Sequence, residues 1–181
     1  MWHAVRPTEN KPVTFLGSIC KGMLPQAEWD ALLTEGTDIQ ARWIHQVDVT
    51  AALYRQVYKR FVSVHHLDNL IWVWNTNAPR ADAAAYAGFY PGHDVVDILA
   101  ADVYANDYRQ SHHDQLVELA DGRPITLGEV GVLLTPKTLE NQPQWAWFMT
   151  WTTFLTREND ADEVRRLFAS PRVLHRGEAE R

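Results

Sequence analysis

Five short apolar runs, separated by segments with helical periodicity, constrain the fold of this 181-residue chain more than any other feature. The clearest run is Leu70-Ile71-Trp72-Val73-Trp74, which has no polar position along its length. Continuous apolar runs are typical of parallel strands covered on both faces, and their alternation with helices is typical of α/β proteins. The strand candidates lie near residues 1–5, 70–74, 95–104, 124–130 and 145–151.

Helical periodicity is clearest in four segments between and after these runs. The spacing of apolar residues predicts helices over 37–49, 51–64, 111–120 and 161–169. The stretches at 8–25 and 75–92 are predicted to be loops because proline, glycine and polar residues interrupt them. The sequence therefore predicts a single α/β domain.

Polar and aromatic residues follow the strand candidates closely, and no glycine-rich phosphate loop does. They are Trp74-Asn75, Asp102 with Tyr104, Glu129, and Trp151. Barrels of alternating strands and helices build their sites from side chains at the carboxyl ends of the strands. This placement favours a (β/α) barrel over an open nucleotide-binding sheet.

Composition excludes several classes of partner. The formal net charge of −6 argues against a nucleic acid or an anionic membrane, which call for a basic face, and fits a neutral or polar small ligand. No apolar run is long enough to span a membrane, and the first residues do not resemble a secretory signal. The single cysteine, Cys20, excludes an internal disulfide, and no spacing indicates a metal site, so no cofactor is expected.

Glu129 is the first candidate for chemistry. It ends an apolar strand and is flanked by Gly128 and Gly131, which allow close approach of backbone or ligand. A carboxylate at the end of an apolar strand costs free energy unless it is paired with another group or takes part in catalysis. The residues alone leave two interpretations open, a catalytic carboxylate and a structural glutamate in a polar network.

Aromatic side chains supply the other candidates. The chain has 8 tryptophans, which serve either as core residues or as flat platforms for sugar rings. Trp151 is predicted at a strand end, where it is a platform or a barrel-wall residue, while Trp145 and Trp147 are interpreted as core. Tyr104 shares a face with Asp102 and either donates its hydroxyl to a nearby carboxylate or simply packs.

An ordered set of segments resembles the mannan-degrading enzymes of glycoside hydrolase family 26. The similarity covers most of the chain from Ala51 onward and, more weakly, residues 1–48. The matching segments are Trp2-His3, 69–75, 90–98, 102–107, 127–131 and 147–151.

This resemblance implies an α/β fold of the (β/α)8 barrel type and retaining hydrolysis of a β-mannan-type polysaccharide by two glutamates. Glu129 matches the nucleophile of the family, and Tyr104 matches the tyrosine that hydrogen-bonds it. Trp151 matches the stacking tryptophan, and His3 matches a histidine near the sugar. Two further residues, Trp74 and Asp102, are expected to bind substrate. Members of the family are often secreted, but localisation cannot be read from this chain.

The second glutamate has no counterpart in this sequence. In the family it lies in an Arg-Pro-x-His-Glu stretch after the fourth strand, and no His-Glu pair occurs in this chain. Arg6-Pro7-Thr8-Glu9 lacks the histidine and follows the third-strand segment. The two predicted helices on either side of the missing strand abut at Asp48-Val49-Thr50, and the first two strands are also unmatched.

An incomplete barrel is therefore expected, with about five of the eight strands. A full barrel needs about 250 residues, and this chain has 181. Residues 1–175 are assigned to a partial catalytic domain and 176–181 to a solvated tail. Three interpretations stay open: a hydrolase impaired by loss of its acid/base, a non-catalytic saccharide-binding remnant, and a truncated gene product.

Overall fold

The computed structural model describes residues 47–79 and 85–174. Several predictions fall outside these residues: the strand at 1–5, His3, Glu9, most of the helix at 37–49, and the tail at 176–181.

Four parallel strands form the sheet of the described part of the chain, and they are arranged in chain order. They are β1 (Val73–Asn77), β2 (Ile98–Val103), β3 (Ile125–Val130) and β4 (Trp145–Phe148). The predicted α/β class with parallel strands is confirmed, and four of the five predicted strands are present. β1 lies three residues later than predicted: Ile71, near the start of the apolar run, is exposed, and the strand continues past the run into the polar residues 75–77.

Helices connect and follow these strands. They are α1 (Val47–Lys59), α2 (Tyr86–Phe89), α3 (Gln110–Ala120), α4 (Pro136–Asn141), α5 (Thr152–Arg157) and α6 (Ala161–Phe168), with a π-helix at Arg60–Val64 and a 3-10 turn at His93–Val95. The helix α1 includes Asp48-Val49-Thr50, where two helices were predicted to abut, and the predicted helix before it lies mostly outside the described residues.

Three short helices were not predicted from the sequence. α2, α4 and α5 have four to six residues each, too few for helical periodicity to be visible. α4 nevertheless has a local start signal: the Thr135 hydroxyl accepts a hydrogen bond from Thr138 N at 3.1 Å, and Pro136 follows it.

One row of side chains across the sheet forms the centre of the core. Trp74, Leu99, Ile125 and Trp145 are aligned in register on the four strands, and all four are buried. Trp74 is only 2% exposed and packs edge-on against Tyr86 and Tyr90. This burial and these ring contacts favour core packing over the predicted role of Trp74 in substrate binding.

Two other tryptophans also differ from expectation. Trp147 was interpreted as a core residue, but it is 42% exposed on β4. Trp151 was placed at the end of a strand, but β4 ends at Phe148 and Trp151 is the N-cap residue of α5. The chain therefore leaves the sheet before Trp151 and turns into a helix.

A β-bulge interrupts β3 at Gly128. Ala101 of β2 pairs with Leu127, and the next residue, Asp102, pairs with Glu129, so Gly128 is one extra residue on β3. Bulges of this kind change the direction of a side chain beside the irregularity. Here the bulge brings Glu129 into register with Asp102 at the carboxyl end of the sheet.

Candidate active site

The carboxyl ends of β1, β2 and β3 bring polar side chains together at one edge of the sheet. In register across these strands lie Asn77, Asp102 and Glu129. Because all strands are parallel, the residues that follow β2 and β4 approach the same edge, which is where such barrels carry their chemistry.

Glu129 accepts hydrogen bonds at a single carboxylate oxygen from two aromatic side chains. The Tyr104 hydroxyl donates to Oε2, and Trp151 Nε1 lies 3.2 Å from the same oxygen. Trp151 Nε1 also lies 3.1 Å from the Tyr104 hydroxyl oxygen, so the three groups form a closed triangle. Two donors on one oxygen fix the orientation of the carboxylate.

The ring of Tyr104 is itself packed against two neighbouring segments. It lies 5.3 Å from the ring of Phe154 in α5, with a tilt of 48° between the ring planes. On the loop after β3, a Cβ on Gly131 would lie 3.4 Å from Tyr104 Cδ1. Gly131 therefore lies beside the tyrosine ring, at a distance that an added Cβ would span with ordinary van der Waals contact.

Asp102 lies beside this triangle and is held from the opposite side by Asn75. The Asn75 side-chain amide donates to Asp102 Oδ2 over 3.0 Å. Burial raises the pKa of Asp102 to about 6; the hydrogen bond from Asn75 opposes this, and the neighbouring Glu129 carboxylate adds to it. Asp102 thus binds a proton at a pH where an exposed aspartate is ionised.

The bulge residue Gly128 lies against both members of this pair. A Cβ at position 128 would be 2.8 Å from Asn75 Cγ and 3.0 Å from Asp102 Oδ1. Only glycine therefore leaves room for the Asn75–Asp102 contact. The sequence indicated close approach at this glycine, and the tertiary structure identifies the approaching groups as two side chains.

Two further carboxylates near β2 have partners away from Glu129. Asp97 accepts the Trp72 backbone N–H at 2.7 Å at the entrance to β2. Asp107 is paired with the Arg109 guanidinium. In the part of the chain that the structure describes, no group of three His, Cys, Asp or Glu side chains is placed to hold a metal ion.

Sequence reasoning missed Phe154 and Asn159. Both lie after the last predicted strand, and neither carries a local signal of function. Asn159 accepts the Leu133 N–H and donates to the carbonyl oxygens of Gly131 and Phe154.

Within the described ranges, no helix of the chain is long and apolar enough to cross a membrane.

The sequence model of glycosyl hydrolase family 26 matches residues 38–178, which is most of the chain. The chain belongs to this family. Among curated relatives, a mannan endo-1,4-beta-mannosidase of Thermothelomyces thermophilus is 37% identical over 134 residues. That match covers 70% of this chain but 26% of the relative, so this chain spans about a quarter of that protein.

Solved family 26 structures agree with the fold. GH26A from Muricauda sp. MAR_2010_75 is 47% identical, with a TM-score of 0.67, and the match covers 71% of this chain and 44% of that one. The Podospora anserina GH26-CBM35 beta-(1,4)-mannanase is 33% identical, with a TM-score of 0.58, over 70% of this chain and 28% of that one. The four described strands and their helices are thus part of the (β/α)8 barrel of family 26.

Proposed function

We propose that this chain carries the nucleophile half of a retaining glycoside hydrolase site for β-mannan, with Glu129 as the nucleophile. The observation that carries the proposal is the pair of donors on Glu129 Oε2, the Tyr104 hydroxyl and Trp151 Nε1. The names of the family 26 relatives, mannan endo-1,4-beta-mannosidases and a beta-(1,4)-mannanase, support the substrate class.

Each residue of the triangle has a defined role in this proposal. A carboxylate oxygen of Glu129 forms a bond to the anomeric carbon of the sugar while the bond from that carbon to the leaving oxygen breaks. Tyr104 and Trp151 orient the carboxylate for this attack, and Trp151 also offers an aromatic face to the sugar. Asp102 and Asn75 provide polar partners for sugar hydroxyls beside the reacting centre.

The reaction needs a second carboxyl group that protonates the leaving oxygen and then activates water, roughly 5–5.5 Å from the nucleophile. The His-Glu pair that supplies it in the family has no counterpart in this sequence. We therefore propose that polysaccharide turnover by the chain alone is slow or absent, since general acid catalysis contributes about 10²–10⁴-fold. Glu129 should still attack a substrate whose leaving group needs no proton.

A substrate with an acidic leaving group separates formation of the glycosyl-enzyme from its hydrolysis. We expect that 2,4-dinitrophenyl β-mannobioside releases about one equivalent of dinitrophenolate per chain. Slow turnover should follow, because the acidic phenol leaves without protonation while hydrolysis of the glycosyl-enzyme lacks its general base. Mass spectrometry should locate the mannobiosyl group on the peptide containing Glu129. Azide, which attacks the intermediate without a base, should accelerate turnover.

The matched controls use the same substrate. Glu129→Gln should show no burst and no adduct, while Glu118→Gln, on the exposed side of α3, should behave as the parent chain. A parent chain with neither burst nor adduct overturns the catalytic proposal. If mannohexaose then still shifts the tryptophan emission, the chain is a saccharide-binding remnant. Mannan hydrolysis that Glu129→Gln abolishes would instead contradict the proposed loss of the acid.

A further inference from the structure

We propose that Asn159 is a positioning residue that holds the ring of Tyr104, and through it the hydrogen bond from Tyr104 to Glu129. The functional consequence rests on the proposed role of Glu129 as nucleophile. Asn159 touches neither Glu129 nor Trp151 through any hydrogen bond of its side chain; it acts on the two segments against which Tyr104 packs.

The side-chain amide of Asn159 forms hydrogen bonds through both its oxygen and its nitrogen. Its Oδ1 accepts the Leu133 N–H at 2.7 Å, and its Nδ2 donates to Gly131 O and Phe154 O at 2.9 Å each. One side chain therefore ties the loop after β3 to the helix α5. An amide is the only neutral group of this size that both accepts and donates in this way.

The two segments that Asn159 joins are the two that contact the Tyr104 ring. The ring of Phe154 lies 5.3 Å from the ring of Tyr104, and Gly131 lies beside the Tyr104 ring on the loop after β3. Gly131 is fixed further because its N–H donates to Val103 O at 2.9 Å, directly before Tyr104 in the chain. A change in the distance between Gly131 and Phe154 must therefore move or loosen the tyrosine ring.

The backbone of Asn159 is in turn held in place. Glu158 N donates to Phe154 O at 2.9 Å, which ends α5, and Asp160 caps α6 by accepting the N–H groups of Asp162 and Glu163. Asn159 thus stands between a helix end and a helix start and has little freedom to follow a displaced partner. This rigidity makes it suited to set a distance.

Asn159→Asp tests the inference, because it keeps the size and the acceptor but replaces both donated hydrogen bonds by repulsion between oxygens. The matched control is Gln142→Glu. Gln142 is a buried amide that accepts hydrogen bonds from Tyr108 and Trp145 and donates one to Gln110 Oε1, and none of these partners belongs to the two segments that Asn159 joins. Both changes convert a hydrogen-bonded amide to a carboxylate.

The direct readout does not depend on activity. In a chain labelled with [4-13C]tyrosine, six tyrosines give six resonances, and Tyr104→Phe identifies the one from Tyr104. We expect Asn159→Asp to shift the Tyr104 resonance and leave that of Tyr108 in place. Gln142→Glu should do the reverse. An unchanged Tyr104 resonance in folded Asn159→Asp overturns the inference, whatever the activity.

The functional readout is the burst of dinitrophenolate. Asn159→Asp should lower the rate constant of the burst by about 10–100-fold, as small displacements of reacting groups do, with little change in the dissociation constant for the glycoside. Gln142→Glu should lower thermal stability without lowering the burst rate. An absent burst in the parent chain overturns the proposed function. The shift of the Tyr104 resonance in Asn159→Asp would still test whether Asn159 positions the ring.

A second variant covers the case in which Asn159→Asp does not fold. Phe154→Leu removes the ring that contacts Tyr104 but leaves the Phe154 carbonyl oxygen that Asn159 binds. It should shift the Tyr104 resonance and reduce the burst rate in the same direction. A Tyr104 resonance that is insensitive to Phe154→Leu contradicts the inference, because the ring would then be held by other groups.

Discussion

The Asn75 side chain occupies the space that a side chain at Gly128 would need. Its Cγ lies 2.8 Å from the position of a Cβ at residue 128, and its amide reaches past this point to Asp102 Oδ2. The bulge at Gly128 and the Asn75–Asp102 hydrogen bond are thus two parts of one arrangement. Its disruption should affect both the stability of the sheet and the position of Glu129.

Gly128→Ala should therefore destabilise the protein by about 1–3 kcal/mol, as overpacking in a filled site does. Asn75→Ala should relieve most of this penalty, because it removes the nearest atoms. Urea unfolding of both single variants and of the double variant measures the coupling. Gly122→Ala is the control, because nothing lies within 4 Å of a Cβ at that position. Its destabilisation comes from the backbone φ of +84°, so Asn75→Ala should not relieve the destabilisation. Additive effects of Gly128→Ala and Asn75→Ala would refute the steric coupling.

The raised pKa of Asp102 predicts a pH dependence of stability with a definite sign. The folded-state pKa, about 6, lies above the ordinary value of 3.8, mainly because of burial. As the pH rises from about 4 to about 6, the unfolded chain loses this proton before the folded chain does, so Asp102 reduces stability progressively across this window. Asp102→Asn should therefore gain stability relative to the parent chain over the same window.

Urea unfolding at pH 4, 5, 6 and 7 checks this, with Asp94→Asn as a control of opposite sign. The hydrogen bond from Arg55 lowers the pKa of Asp94. Asp94 therefore contributes stability above its ordinary pKa and loses it as the pH falls, so its effect should change mainly below about pH 5. A stability difference between the parent chain and Asp102→Asn that is flat from pH 4 to 7 would contradict the shift.

Tyr104 and Trp151 should act on Glu129 as a coupled pair. Tyr104→Phe removes one hydrogen bond to the carboxylate and Trp151→Phe removes the other, and hydrogen bonds to charged groups contribute about 1.5–3 kcal/mol each. The burst rate with 2,4-dinitrophenyl β-mannobioside should fall about 10–100-fold in each single variant. Because Trp151 Nε1 also donates to the Tyr104 hydroxyl, the double variant should lose less than the product of the two effects. A strictly multiplicative result would show that the donors act independently.

Trp74→Phe should separate core packing from saccharide contact. Trp74 is buried between Tyr86 and Tyr90, so the smaller ring should lower the free energy of unfolding by about 1–3 kcal/mol. Its affinity for mannohexaose should equal that of the parent chain, whereas Trp151→Phe should weaken affinity with a smaller loss of stability. Isothermal titration and thermal unfolding of both variants provide the comparison. Weakened binding by folded Trp74→Phe would restore the original assignment of Trp74 to the substrate site.

Local patterns predicted those features that depend on residues near each other in the chain. The strands β2 and β3 were predicted to within a few residues because their apolar runs are long and end in clear polar or glycine signals. The helix α3 was predicted to within one residue because its apolar spacing extends over three turns. The placement of Tyr104 and Glu129 at the carboxyl ends of parallel strands followed from the same patterns.

Three tryptophans show what such patterns leave undecided. Trp74, Trp147 and Trp151 are the same residue type beside similar runs, yet one is buried, one is exposed and one contacts Glu129. Their environments depend on which element covers each face of the sheet, and that depends on segments distant in sequence. The helices α2 and α5, too short to be seen in the sequence, make this difference.

The sequence by itself determined that parallel strands alternate with helices and that Glu129, Tyr104 and Trp151 follow strand ends, because these are properties of apolar spacing along a continuous chain. Only the tertiary structure decided which atoms meet: one oxygen of Glu129 with both aromatic donors, Asn75 with Asp102 across the bulge, and Asn159 with Gly131 and Phe154. These contacts join residues up to 28 positions apart. Strand register and a one-residue bulge set them, and no local preference of the chain specifies either.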